Sequence, residues 1–334
     1  MGHSLTIPHR RAHGMCPING IRDLVHWRSG RDWSNEFLHG LGQGGGFAYL
    51  RFNAATPPRQ VYWGVSGPRQ HEYLAQLFGA EYAVLEGRSF KFAWGKACEA
   101  VDAGLPPVLG PLDMFYLHYY EGLYHERHIP IHYVLLVGYE GGNALVHDTD
   151  KEEVQTIPLG ELQEAWDVSL PGFGKRNRLV TFDIPQSLTP TEVLIRQSIA
   201  DQCRTMLHPP VSMVGIPAME KLTREVAGWP EELGEEKAEA SLLQMREYLN
   251  SPPDLAGNHL AAGRDKYIRF LEEAGAMAGL DFSQAIKGLG ETVKLIPLIA
   301  QAIQKGHLGE AAAHMGRIAQ GETEAFAELG RVVS

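Results

Sequence analysis

Three side chains of this sequence could act together in nucleophilic catalysis. Cys16 supplies a thiol, His132 an imidazole that can move a proton, and Asp148 a carboxylate that can orient the imidazole. A thiolate is a strong nucleophile towards acyl groups, so this set fits either transfer or hydrolysis of an acyl group. Taken singly, each residue is more often structural than catalytic. The hypothesis therefore depends on the elements that position the three side chains.

Cys16 stands at the predicted start of an amphipathic helix. Pro17 suits the first helical position and Gly30 suits the residue just past the end, which leaves Cys16 at the N-cap. The unpaired N–H groups and the positive end of the helix dipole favour a thiolate at this place. The same N–H groups could hold a tetrahedral oxyanion.

His132 and Asp148 are predicted to lie on the two strands of a β-hairpin, His132 at the start of one and Asp148 at the end of the other. A strict two-residue loop at residues 141–142 would place His132 opposite Lys151 and turn Asp148 to the other face. His147 would then take over as orienter or base. A three-residue loop or a single bulge returns His132 and Asp148 to one face.

Changes in residue composition and in the spacing of apolar residues divide the chain into two predicted domains. Residues 1–185 contain short strand-like runs, such as 133–137 and 178–182, among glycine and aromatic residues, which predicts an α+β domain. Residues 186–334 are rich in Ala, Glu, Leu, Met and Gln at helical spacing, which predicts an all-helical domain.

The order Cys, His, Asp resembles the papain-like superfamily, and residues 132–139 with 146–148 and 157–166 look like its bacteriocin-leader peptidase variant. The resemblance to the butirosin biosynthesis protein H family is closer. Members of that family join such a domain to a helical C-terminal domain and carry a glycine-rich stretch like residues 41–49. The resemblance implies a papain-like α+β fold for the first domain and extends over nearly the whole chain.

The resemblance also implies a function. Family members are acyltransferases of natural product biosynthesis that take an acyl or aminoacyl group from a carrier-protein thioester and form an amide with an amine, through an acyl-cysteine intermediate. Cys16 would be the nucleophile, His132 the proton carrier and Asp148 the orienter. The phosphopantetheine comes with the acyl carrier protein, so no cofactor of the enzyme's own is expected. The acceptor would be an aminoglycoside, a polyamine or a similar amine.

Six further residues are assigned to substrate binding. Papain-like peptidases usually supply an oxyanion donor from a Gln shortly before the cysteine, and residues 9–15 contain none, so His13, backbone N–H groups or Gln43 would have to serve instead. We expect the glycines of residues 41–49 to adopt positive φ, which would let the backbone approach an extended substrate closely. An aromatic stretch around Tyr116 is expected to form a wall of the cleft, where Asp113, Glu121 and Glu126 would attract a cationic amine. The assigned residues are His13, Gln43, Gly44, Gly45, Tyr116 and Tyr133.

Composition excludes several other classes of protein. The net charge of −10 gives no basic surface for nucleic acid, and no segment is apolar enough for a membrane span or a signal peptide. Three cysteines at unrelated spacing fit neither a disulfide framework nor a CxxC metal site, and indicate a reducing cytoplasm. The irregular spacing of His118, His125 and His128 does not suggest zinc, so no metal is expected.

Two other functions remain open at this stage. A cysteine peptidase or amidase would use the same triad with water in place of the amine. A non-catalytic binding or assembly protein would keep the three residues for structural reasons. The helical domain is expected either to cover the cleft or to mediate a homodimer.

Overall fold

A computed structural model describes residues 2–12, 15–64, 67–249 and 263–334. The α-helices of these residues, in chain order, are α1 Cys16–Ser29, α2 Asn35–Leu41, α3 Pro68–Phe78, α4 Phe90–Asp102, α5 Leu159–Trp166, α6 Thr191–Leu207, α7 Gly215–Glu225, α8 Trp229–Leu233, α9 Glu235–Leu249, α10 Gly263–Ala278, α11 Ser283–Gln304 and α12 Leu308–Val333. The strands are β1 His3–Ser4, β2 Phe47–Arg51, β3 Arg59–Trp63, β4 Glu81–Leu85, β5 Val108–Leu112, β6 His132–Glu140, β7 Asn143–His147, β8 Gln155–Pro158 and β9 Leu179–Asp183.

The first compact unit comprises Met1–Leu38 and Ser66–Thr189. Its described residues form a seven-stranded antiparallel sheet in the order β4-β9-β5-β6-β7-β8, with β1 paired to β6. Helix α1 packs against one side of the sheet, where a Cβ on Gly20 would lie 3.2 Å from both Leu135 and Val108. Helices α4 and α5 share an apolar core with Val134 and Leu136, alternate residues of β6 that point to the same side of the sheet. The predicted α+β class of this domain is confirmed.

The hairpin β6–β7 turns at Gly141 and Gly142, whose φ values of 56° and 84° are those that a two-residue primed turn requires. Its first pairs, such as Glu140 with Asn143, follow the strict register. The register then shifts between Leu136 and Gly138, which makes Val137 the extra residue of a β-bulge. Beyond the bulge every pair is displaced by one residue.

The second compact unit comprises His39–Val65 and Pro190–Ser334, and its described residues contain helices α6 to α12 and the hairpin β2–β3. The C-terminal region is therefore helical, as predicted. The hairpin joins it because the Tyr49 hydroxyl donates to Glu225 at 2.7 Å and the Tyr248 hydroxyl donates to the Trp63 carbonyl at 2.7 Å. The change in residue composition predicted a single boundary after residue 185, whereas in the structure residues 39–65 group with the C-terminal helices. Composition could not reveal this grouping, because the contacts that cause it join residues more than 170 positions apart.

None of the helices in the described part of the chain combines the length and apolar character that a bilayer crossing requires.

Candidate active site

Cys16 is the first residue of α1, and Met15 occupies the N-cap in a left-handed conformation with φ 57°. The predicted N-cap position of Cys16 is therefore wrong by one residue, and Pro17 is the second helical residue rather than the first. The prediction at the other end of the helix is confirmed, because Gly30 is the C-cap with φ 72° and its N–H bonds the carbonyl of His26. Cys16 still lies in the first turn, where backbone N–H groups have no partner within the helix.

The β-bulge at Val137 brings His132 and Asp148 to the same face. Nε2 of His132 lies 2.8 Å from Oδ2 of Asp148, and both side chains are buried. An ionised carboxylate only accepts hydrogen bonds, so Nε2 carries a proton and Nδ1 is the ring nitrogen left for the nucleophile. The strict register, under which His147 would have replaced Asp148, is overturned by the one-residue shift.

Cys16 lies near enough to His132 to affect the protonation of its imidazole. Burial by itself disfavours the charged imidazole, yet the charges of Asp148 and Cys16, together with the hydrogen bond to Asp148, raise the pKa of His132 well above its ordinary value. The thiol also lies 3.8 Å from the carbonyl oxygen of Ile131. The structure thus brings together the three residues that the sequence singled out, with His132 between Cys16 and Asp148.

Two tyrosines that the sequence reasoning missed complete the surroundings of Asp148. The Tyr119 hydroxyl donates to Oδ2 at 2.7 Å and the Tyr120 hydroxyl donates to Oδ1 at 2.8 Å. Burial would raise the pKa of Asp148, but the His132 charge and the hydrogen bonds from His132, Tyr119 and Tyr120 lower it. Asp148 therefore stays ionised although it is fully buried. The sequence did contain one signal for them, the two consecutive tyrosines that precede the strand predicted to carry the catalytic base.

His71 of α3 forms a hydrogen bond with the first turn of α1. Its Nε2 lies 2.7 Å from the carbonyl oxygen of Pro17, and burial lowers the pKa of His71 to about 3. The ring is therefore neutral and donates this hydrogen bond. Tyr133, one of the residues assigned to substrate binding, is 1% exposed and packs edge-on against His71 at 5.4 Å. A substrate contact by Tyr133 stays a prediction, and the visible role of its ring is packing beneath the helix.

Tyr116 lies half-buried in the short 3-10 helix Met114–Tyr116, where its ring contacts Phe115 at 5.0 Å and His128 at 6.3 Å. It belongs to the segment that ends beside Cys16, so a cleft-wall role remains a prediction. His13 lies outside the described residues. The histidines of this segment that bond carboxylates do so individually, as in the 2.6 Å contact of His128 with Asp113.

The glycine-rich loop lies in the second unit and its visible partners are protein groups. The Gln43 amide donates to the Ser198 carbonyl at 3.0 Å, and the Gly45 N–H donates to the Gln202 side chain at 3.0 Å. The positive φ expected of the glycines falls instead on Gln43, at 68°.

Close packing explains the glycines themselves. A Cβ on Gly44 would meet His39 at less than van der Waals distance, and one on Gly45 would lie 3.1 Å from Tyr267. The substrate-binding role of Gln43, Gly44 and Gly45 stays a prediction.

The other two cysteines have environments unlike that of Cys16. Burial, together with the charge of Asp102, raises the pKa of the half-buried Cys98 to about 11. Burial raises the pKa of Cys203 to about 12. Cys203 is a small core residue, while Cys98 is only half-buried.

A cysteine at the start of a helix, packed on an antiparallel sheet that carries a histidine and an aspartate, is the arrangement of the papain-like fold. The family model described as butirosin biosynthesis protein H, N-terminal, matches residues 15–149, and the model described as a domain of unknown function (DUF4872) matches residues 160–329. The chain belongs to the family that the second model defines, and its N-terminal part is similar to butirosin biosynthesis protein H. The predicted family resemblance is thereby confirmed.

None of the curated proteins matches the chain. Among solved structures, a protein from Bacillus anthracis described as a C39-like peptidase is similar at 15% identity and a TM-score of 0.37. The alignment covers 55% of this chain and 97% of that one.

Proposed function

We propose that this protein transfers an acyl group from a thioester to an amine through an acyl-Cys16 intermediate. The observation that carries the proposal is the buried His132–Asp148 pair, with Nε2 of His132 committed to the carboxylate and the ring near Cys16, whose charge raises the pKa of His132. The similarity of residues 15–149 to the N-terminal domain of butirosin biosynthesis protein H, a biosynthetic protein, favours synthesis over degradation.

The two half-reactions balance at these groups. The Cys16 thiolate attacks the thioester carbonyl, the donor's C–S bond breaks, and the departing thiol takes the proton from the His132 imidazolium. The amine then attacks the acyl-cysteine, His132 accepts its proton, and the Cys16 thiolate leaves. Asp148 stabilises the imidazolium in the first step and restores the same ring orientation for the second. Helix-terminal N–H groups of α1, which have no partner within the helix, would stabilise the oxyanion.

A cationic amine is the acceptor that this surface favours. The segment between Asp113 and Ile131 leads to the thiol and presents Glu121 and Glu126, which are exposed and have no ion pair within the described chain. Asp113, also expected to attract the amine, is occupied by His128 and by the amides of Phe115 and Ile129. Polyamines and aminosugars carry the complementary charge.

An acidic acyl carrier protein is the proposed donor, and a basic face of the first unit suits its docking. Arg88, Lys91, Lys175 and Arg176 are exposed and have no ion pair among the described residues. The Arg176 carbonyl accepts from Gly87 at 2.8 Å, which places the two basic segments side by side. The residues that follow Arg176, Asn177 and Arg178, are buried, and the basic residue Arg10 pairs with Asp32, so neither segment adds to this face.

The basic face lies at the sheet end that carries His132. Leu112 pairs with His132, and Leu179 pairs with both Leu109 and Leu85, so β9 and β4 reach the same end as the start of β6. Two strand spacings separate β9 from β6, which is about 10 Å. A carrier held there presents its thioester within a short distance of the base. The cytoplasmic location and the homodimer stay predictions.

The first test uses a small acyl thioester of N-acetylcysteamine with the wild type and Cys16→Ser. We expect an acyl adduct on Cys16 by intact mass, discharged faster by spermidine or an aminosugar than by water. Discharge by water alone would favour the peptidase or amidase. Absence of an adduct from both this donor and a carrier-bound donor would favour a non-catalytic binding protein.

The second test separates the donor's docking from the chemistry. Lys175→Glu with Arg176→Glu should slow acylation by an acidic acyl carrier protein bearing the same acyl group by about tenfold, since like charges suppress association. Acylation by the N-acetylcysteamine thioester should be unchanged. Lys287→Glu with Lys305→Glu, exposed cations of the second unit, is the control of equal charge change. Equal slowing by both pairs would contradict the docking face.

A further inference from the structure

A second cluster of titratable side chains lies outside the triad and joins His9, Asp23 and His147. Oδ2 of Asp23 lies 2.6 Å from Nδ1 of His9 and 3.0 Å from Nδ1 of His147. Nη2 of Arg22 lies 2.8 Å from the other carboxylate oxygen. The four side chains are between 1% and 6% exposed. Buried charges of this kind persist only when each is paired.

The partners of His9 define its protonation state. Nδ1 faces the Asp23 carboxylate and Nε2 lies 3.0 Å from the carbonyl oxygen of Lys151. Both partners only accept hydrogen bonds, so both ring nitrogens must carry hydrogen and His9 is an imidazolium. Burial lowers the pKa of His9, but the hydrogen bond and charge of Asp23 outweigh it and the pKa is raised. Burial would raise the pKa of Asp23, whereas His147, His9 and Arg22 lower it.

The charged groups around His9 come from three elements. Asp23 and Arg22 face it from α1, and the His147 ring of β7 stacks on it at a centroid distance of 4.1 Å. The Lys151 ammonium points away, donating to the Tyr119 carbonyl at 2.7 Å. Two imidazoles and a carboxylate also have the composition of a metal site. The doubly protonated ring of His9 offers no lone pair to a metal ion, so the cluster in this arrangement binds protons rather than a metal.

The same contacts link the segments that carry the catalytic residues. Asp23 lies seven residues after Cys16 on α1, so the two share a helix face. His147 precedes Asp148, and Lys151 lies in the loop that follows Asp148. The segment with His9 also bonds this loop at a second point, because Ala12 N–H donates to the Thr149 carbonyl at 2.8 Å.

We propose that His9, as a buried imidazolium, is a positioning residue that holds the Asp148 loop and helix α1 in the arrangement needed for acylation of Cys16. It acts through Asp23 and the Lys151 carbonyl and touches no reacting atom. This role rests on the proposed acyl transfer, whereas the charge state of His9 does not.

The test compares His9→Gln with His3→Gln, whose exposed ring pairs with Asp102 at 2.8 Å and so provides a matched surface His–Asp pair. Single-turnover acylation by the N-acetylcysteamine thioester is followed by intact mass between pH 6 and 9. A glutamine amide has donors on one nitrogen and cannot serve both partners. We expect the maximal rate to fall about 10- to 100-fold in His9→Gln with KM unchanged, and no change in His3→Gln.

The pH profile separates positioning by a charge from simple packing. The pKa of His9 is raised in the folded protein, so its contribution is complete at low pH and is lost as pH rises through that raised value. The ratio of wild-type to His9→Gln rates should therefore decrease towards high pH. A ratio that is independent of pH, or an unimpaired variant, would contradict the proposal.

Two readouts do not depend on activity. Ring 15N chemical shifts of His9 should report a doubly protonated imidazole at pH 7, and amide hydrogen exchange at Ala12 should be faster in His9→Gln than in His3→Gln. Unchanged exchange or a neutral ring overturns the proposal even if the wild type forms no adduct. Stabilisation of the wild type, but not of His9→Gln, by zinc chloride would replace the imidazolium with a metal site.

Discussion

Asp148 has the densest set of hydrogen bonds among the three residues proposed to be catalytic. Its two oxygens accept from one imidazole N–H and two tyrosine hydroxyls, with no exposed surface. A fully buried carboxylate is costly unless several donors surround it, and here each donor also fixes its direction. The charge that stabilises the His132 imidazolium is therefore held in one place before substrate arrives, as an orienting residue requires.

Replacing Asp148 by asparagine should abolish most activity without a large change in shape. The amide has one acceptor oxygen for three donors and no charge for the imidazolium, so we expect acylation of Cys16 to fall by about 10³- to 10⁴-fold. Intact-mass kinetics with the N-acetylcysteamine thioester measure the change. Asp167→Asn, at an exposed position of the same unit, should acylate at the wild-type rate. A loss below tenfold for Asp148→Asn would remove Asp148 from the orienting role.

Removing one tyrosine hydroxyl should shift the acid side of the pH profile. The hydrogen bond from Tyr120 helps to lower the pKa of Asp148, so Tyr120→Phe raises that pKa, and activity is lost at a higher pH as the solution is acidified. The acid limb of the acylation rate, measured from pH 4 to 8, should move upward. Tyr139→Phe, which loses a hydroxyl bonded to exposed Asp102, is the control and should leave the limb in place. Identical limbs in all three proteins would contradict this assignment.

The sequence singled out Cys16, His132 and Asp148 because their signals are local: a cysteine before a proline at a predicted helix start, and a histidine and an aspartate at strand ends. It missed the tyrosines, although they lie 28 and 29 residues from Asp148, because no local pattern shows where a hydroxyl points. His9 and Asp23 were missed for the same reason. Their partners His147 and Lys151 lie more than 120 positions away, and only the folded chain brings them together.

The hairpin β6–β7 shows how one residue in an element decides the chemistry. Its turn glycines predict a strict register that separates His132 from Asp148, and the bulge at Val137 restores their common face. The sequence left both registers open because a bulge has no strong local signature. Gly138, which is next to the bulge, pairs with Ser4 of β1. A Cβ on Gly138 would lie 2.7 Å from both the His3 carbonyl oxygen and Ser4 Cβ.

Gly138→Ala should therefore detach β1 from the sheet. The overlap leaves no space for a methyl group, so we expect a loss of about 1–3 kcal/mol in unfolding free energy. Amide hydrogen exchange of residues 2–5 should increase in the same variant. Gly160→Ala on α5, where a Cβ would meet nothing within 4 Å, should be neutral or slightly stabilising. Equal effects of the two substitutions in urea unfolding would contradict the close approach at Gly138.

On the scale of the whole molecule, each unit has its own buried polar centre. The second unit contains a two-point ion pair in which Nε and Nη2 of Arg264 lie 2.7 and 2.6 Å from the carboxylate of Glu322, with neither side chain exposed. Arg264 also donates to the Gly46 carbonyl at 3.2 Å, which ties the glycine-rich loop to α10. The sequence predicted helices here but not this pair, whose members are 58 positions apart.

Breaking this pair from one side should destabilise the protein strongly. Arg264→Met leaves an unpaired buried carboxylate, so we expect a loss of about 3–5 kcal/mol, while Arg264→Met with Glu322→Leu should recover most of it. Urea unfolding followed by tryptophan fluorescence measures both. Lys294→Met, which breaks an exposed pair with Glu291 on α11, should have no measurable effect. A double variant as unstable as the single one would contradict a dominant charge penalty.

The contrast among the three cysteines provides a way to count working molecules. Cys98 and Cys203, with pKa values raised to about 11 and 12, remain protonated thiols at neutral pH and react slowly with alkylating reagents. A short exposure to iodoacetamide should therefore label one site per chain, at Cys16, and Cys16→Ser should take up none. The labelled fraction then equals the fraction of a preparation with an intact nucleophile, which calibrates every rate measured on this protein.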